Sequence, residues 1–115
     1  MTPFSYEILV ALAGTDLHGY GILKDIEERN GEGAVPSTGA LYLALQRLEE
    51  AGLIAESKRQ SGDARRRYYR LTAAGRGAAR QETARLASLV GVARDRELIT
   101  SHALGRVLPG SGDGG

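Results

Sequence analysis

Residues 36–71 read PSTGALYLALQRLEEAGLIAESKRQSGDARRRYYRL, and the change of period inside this stretch decides the fold. In its first part Leu41, Ala44, Leu45 and Leu48 recur at intervals of three and four, which places them on one face of an α-helix. Ser37 can cap that helix, because its hydroxyl accepts from the free amides of the next turn, and Val35-Pro36 favours an extended approach. Gly52 supplies a left-handed stop. Beyond it the period changes. Residues 53–58 (LIAESK) and 66–71 (RRYYRL) have strand character, and the RQSGDAR between them is a polar loop containing Gly62-Asp63. The expectation is a β-hairpin with a long basic tip, not a tight two-residue turn.

Upstream, two more helices are expected. Phe4, Ile8, Leu9 and Leu12 share a helical face over residues 3–13, with Pro3 suited to the first turn and Gly14 ending the run. A second helix begins after Asp16 or near His18, with Ile22, Leu23 and Ile26 as its stripe, and closes at Asn30-Gly31. Downstream, Thr72 can cap a last helix over residues 73–97, about 37 Å long at 1.5 Å per residue. In that helix Ala79, Thr83, Leu86, Val90 and Ala93 follow a 4-3-4-3 spacing, the seam of a helix packed on a partner helix. The seam can also pack within its own chain, and Gly91 weakens the helix.

Three helices followed by a hairpin is the order of a winged helix-turn-helix. The fold class expected is mainly α with a small β-hairpin, a winged helix-turn-helix plus a long C-terminal dimerisation helix. Residues 1–72 form the DNA-binding domain, 73–98 the dimerisation helix, and 99–115, ending in PGSGDGG, a weakly structured tail with little to bury.

The chain has 115 residues, room for one domain with a thin core, and aromatic residues make up only 5% of it with no Trp. Such a core gains from a partner chain, which again suggests a homodimer. The absence of Cys excludes disulfides, thiolate metal sites and thiol catalysis. MTPFSYEIL does not read as a signal peptide, and no apolar run approaches a membrane span, so a soluble cytoplasmic protein is expected. Net charge is only +1, but its distribution is uneven. Residues 1–56 carry 9 acidic and 3 basic groups, whereas residues 57–70 carry Lys58, Arg59, Arg65, Arg66, Arg67 and Arg70 against Asp63 alone. A basic segment on an acidic half points at a polyanion, the other reading being a solvated charged hairpin. At the start of the third helix, the hydroxyls of Ser37, Thr38 and Tyr42 can meet phosphates or base edges.

Three blocks carry a family resemblance: HGYGILKDIEER (residues 18–29), PSTGALYLALQRLEEAGLI (36–54) and RRRYYRLTAAGR (65–76). In that order and at that spacing they resemble the signature of the PadR family of winged-helix transcriptional regulators, over roughly residues 4–80. The resemblance implies that Tyr20, Ser37, Thr38 and Tyr42 face double-stranded DNA and that Arg66 is the wing arginine. Lys58, Arg59, Arg65 and Arg67 join them on charge and place alone. It also implies a homodimer on a palindromic operator, a repressor released by a small-molecule or stress signal, and an effector at or near the dimer interface. The sequence departs from a frequent family form at Thr38, where proline is common, and at Ala40, where threonine is common. Some relatives sandwich flat ligands between tryptophans, a device this chain lacks the residues for.

Duller readings stand beside these. Tyr20 can be core, Tyr68 and Tyr69 suit strand packing better than base stacking, and His18 suits a hydrogen-bonding role at a helix start. A winged helix can also serve protein–protein contact without binding DNA. An enzyme is not expected, and neither is a metal or cofactor: His18 and His102 are far apart, and Gly19-Tyr20-Gly21 lacks the spacing and preceding strand of a phosphate loop.

Overall fold

The computed structural model describes residues 1–31, 33, 36–58 and 66–99. The chain divides into two compact units, Met1–Glu82 and Thr83–Gly115.

The first unit opens with α1 (Pro3–Gly14), in which Thr2 caps the helix by accepting from the Ser5 amide at 3.1 Å and Pro3 occupies the first turn. Its stripe is the expected one, with Ile8, Leu9 and Leu12 buried and Phe4 packed against them. Next comes α2 (Gly19–Asn30), which buries Ile22 and Ile26 on the same core. Polar groups tie the two helices together at the surface: Arg29 lies 3.3 Å from the Glu7 carboxylate, and the Asn30 amide donates to the same carboxylate at 2.8 and 2.9 Å.

Helix α3 (Thr38–Glu50) starts as the sequence suggests. The Ser37 hydroxyl accepts from the Ala40 amide at 3.2 Å, and Leu41, Leu45 and Leu48 are buried. Gly52 takes φ +77°, the left-handed stop, and the Leu53 amide returns to the Leu48 carbonyl at 3.0 Å.

The sheet is larger than expected. Besides β2 (Ile54–Glu56) and β3 (Tyr68–Leu71) it contains β1 (Leu17–His18), a two-residue strand ahead of α2. The order is β1-β3-β2, both pairings antiparallel, with Leu17 opposite Tyr69 and Glu56 opposite Tyr69 on the other side. The expected hairpin therefore supplies two strands of a three-stranded sheet, and β3 is its centre. Of the two starts expected for the second helix, the one near His18 holds: α2 begins at Gly19. Asp16 has another use, accepting from the buried Ser57 hydroxyl at 2.5 Å and so joining the approach to β1 to the end of β2. The expected loop tip over residues 59–65 lies outside the described residues, as does the expected tail from residue 100 on.

Helix α4 (Ala73–Asp95) begins at Thr72, whose hydroxyl accepts from the Gly75 amide at 3.0 Å and donates to the Gly52 carbonyl at 2.7 Å. Gly75 is required there, because a Cβ at this position would fall on the Leu53 carbonyl oxygen. Ala79 packs against the core of the first unit.

Within the second unit, residues 83–95 continue as helix, with Leu86, Val90 and Ala93 half-buried and Thr83 exposed. The helix closes in a Schellman turn. The Leu98 amide donates to the Ala93 carbonyl at 2.9 Å and the Glu97 amide to that of Arg94 at 3.0 Å, with Glu97 left-handed at φ +63°. No helix among the described residues is long and apolar enough to cross a membrane.

Candidate nucleic-acid interface

The HGYG segment, residues 18–21, positions the site through its glycines. A methyl at Gly19 would stand 2.9 Å from the Tyr42 hydroxyl oxygen, so the glycine lets the Tyr42 ring lie against the start of α2 without shifting. A methyl at Gly21 would stand 3.0 Å from His18 Nδ1, so this glycine accommodates the imidazole. The His18 ring stacks on Tyr68 at 5.1 Å between centroids and meets Tyr20 edge-on at 6.3 Å. His18 is the N-cap residue of α2, but its side chain makes no capping hydrogen bond.

That packing leaves Tyr20 at the surface, 68% exposed, which removes the reading of Tyr20 as core. Tyr68 and Tyr69 are both buried, as strand packing requires of them. Tyr20, Tyr42, Arg66 and Arg67 line one cleft of about 500 Å³, together with His18, Gly19 and Tyr69. Four of the nine residues expected to face DNA thus meet on one surface, drawn from α2, α3 and the approach to β3.

Ser37 and Thr38 are exposed at the N-terminal end of α3, one turn ahead of Tyr42. The Ser37 hydroxyl spends one lone pair on its cap and keeps its proton to donate. The free amides of the helix start add partial positive charge beside it. Lys58 is exposed just past β2, whereas Arg59 and Arg65 lie outside the described residues.

Arg67 is placed differently from its neighbours in the basic run. Its guanidinium donates to Glu49 at 2.9 Å, lies 3.5 Å from Glu56, and sits 5.4 Å above the Tyr69 ring. Burial pushes the Tyr69 phenol above its ordinary pKa, and the Arg67 charge partly offsets that rise. Neither carboxylate partner was visible in a count of charges along the segment. Among the described residues no group of three or more His, Cys, Asp or Glu is placed to hold a metal ion.

Known proteins share this fold. A PadR family transcription regulator from Clostridium difficile superposes with a TM-score of 0.71 at 31% identity, covering 82% of this chain and 97% of that one. A transcriptional regulator from Clostridium thermocellum gives 0.67 at 31% identity, over 80% and 87% of the two chains. Bacillus subtilis PadR in complex with operator DNA shares the fold at 24% identity and a TM-score of 0.62, over 71% of this chain and 47% of that one. In sequence, an uncharacterized 37.1 kDa protein in transposon Tn4556 of Streptomyces fradiae is 39% identical over 84 residues. Those residues are 73% of this chain, which spans only 23% of that relative's length. The model of the PadR-like family of transcriptional regulators matches residues 8–81, and the winged-helix chain described here belongs to that family.

Proposed function

We propose that this chain is a sequence-specific, DNA-binding transcriptional regulator that acts as a homodimer on a palindromic operator. One observation carries the reading: Tyr20, Tyr42 and Arg66, each matched to a DNA-facing position by family resemblance, line a single cleft beside the capped start of α3. The fold shared with a protein crystallised on operator DNA supports it. In this reading α3 enters the major groove, and Ser37 and Thr38 reach base edges or phosphates. Lys58, Arg59, Arg65 and Arg66 supply the sequence-independent attraction. Helix α4 pairs two copies through Leu86, Val90 and Ala93, so that two recognition helices lie about 34 Å apart or a multiple of it. Repression, with release by a small molecule or stress signal near the α4 interface, completes the proposal.

The test is binding to duplex DNA over a range of salt, followed by selection of genomic fragments. Salt-sensitive binding with enrichment of a palindrome is expected. A folded protein that ignores arbitrary duplex even at low salt would instead be a protein-contact module. Repression is read separately, from a reporter placed behind a selected fragment with and without the regulator.

A further inference from the structure

Arg67 stands in the basic run that charge and place along the sequence assign to the duplex, yet its guanidinium is engaged on two sides. Nη2 donates to Glu49 Oε2 at 2.9 Å, Nε lies 3.5 Å from Glu56 Oε2, and the face of the group covers the Tyr69 ring. Glu49 belongs to α3 and Glu56 to β2, so this one side chain links the proposed recognition helix to the base of the wing. A lone exposed ion pair would yield readily to a phosphate, because such pairs contribute little. Here two carboxylates and an aromatic face hold the same cation, and the Glu49 side chain is only 26% exposed.

The charges of the cluster decide what a phosphate would feel. Two carboxylates and one guanidinium leave one net negative charge on residues 49, 56 and 67. A phosphate close enough to hydrogen-bond Arg67 must also approach both carboxylates, and their repulsion offsets the attraction at similar range. Resting on the DNA-binding reading above, we infer that Arg67 is a positioning residue, held off the duplex by Glu49 and Glu56. The two carboxylates thereby lower affinity for DNA of arbitrary sequence. Arg67 instead braces Tyr69, whose ring lines the cleft beside Tyr42.

The experiment compares the full chain with three variants on a duplex of arbitrary sequence, reading the slope of log K against log salt. Each phosphate contact contributes about 0.9 to that slope. Arg67→Gln should leave the slope at the wild-type value. Glu49→Gln with Glu56→Gln should steepen it by about 0.9 per protomer, because a formerly occupied cation becomes available. Adding Arg67→Gln to that pair should return the slope to wild type. A drop of about 0.9 per protomer in Arg67→Gln alone would overturn the inference, since it would make Arg67 a phosphate contact. If Arg67→Gln does not fold at the assay temperature, the double carboxylate variant decides: a steeper slope supports the inference and an unchanged one overturns it. A wild type with no salt-dependent binding would bring down the functional reading and this inference together. A normal wild-type slope with the wrong variant behaviour overturns the inference alone.

Discussion

Helix α3 and residues 83–95 of α4 each carry leucines and other apolar residues at intervals of three and four, and they use them in opposite ways. On α3, Leu41 and Leu45 are each only 1% exposed, covered by α1, α2 and the sheet. On α4, Gly75 is the one buried residue, while Leu89 and Val92 remain 55% and 41% exposed. Apolar periodicity therefore states that a face wants covering and does not state what covers it. On α3 the cover is the same chain. On α4 the second half leaves Leu89 exposed and Leu86, Val90 and Ala93 only partly covered, the surface that the proposed dimer would close.

The largest effect should come from charging that strip. Leu86→Glu with Val90→Glu would place ionised carboxylates in the proposed interface, at a cost of several kcal/mol per buried charge. The expected product is a folded monomer by sedimentation with unchanged far-UV circular dichroism. A wild type already monomeric and folded at micromolar concentration would end the comparison. Next in size is Leu45→Ala on α3, which should cost about 2–5 kcal/mol in chemical denaturation, because the cavity opens inside one unit's core. A loss that depends on protein concentration would instead mean that α3 also relies on a second copy.

Thr38→Ala should act on choice of sequence and leave folding alone. The expected change is a shift of about 1–3 kcal/mol in the ranking of operator variants at one position per half-site, read by competition at fixed salt. A uniform loss across all variants would make Thr38 a backbone contact. The smallest effect concerns the end of α4. Glu97 holds a left-handed conformation that costs a residue with a Cβ about 1 kcal/mol, so Glu97→Gly should raise thermal stability slightly. A lower Tm would show that the Glu97 side chain matters more than its backbone.

Most of the helical frame was legible because each helix announces itself by period and punctuation. Ser37, Gly52 and Thr72 cap or stop where their chemistry says they should. The strand β1 was missed because two residues carry no alternation, and its only signature is pairing with Tyr68 and Tyr69, some fifty residues away. The end of α4 was placed late, since Glu97 gives none of the usual signals of a left-handed stop. At the site, the resemblance brought Tyr20, Tyr42 and Arg66 to one surface, but charge counting treated six basic residues alike. It could not separate Arg67 from them, because the carboxylates that hold it lie 18 and 11 positions back along the chain, on other elements.

The packing of HGYG has a consequence for how such sequences are recognised. A Cβ at Gly19 or Gly21 would crowd the Tyr42 hydroxyl or His18 Nδ1, so the neighbouring ring would have to shift, which is a constraint internal to the protein. Drift in the operator, or loss of DNA binding altogether, would leave that constraint in place as long as the domain still folds. The motif is thus a record of architecture, and sharing it argues for a like fold and not for a like target. On the proposed function, what would distinguish one regulator from another lies in the exposed positions around it, Tyr20 and Thr38 among them, where a substitution would spare the fold and alter the contact with DNA.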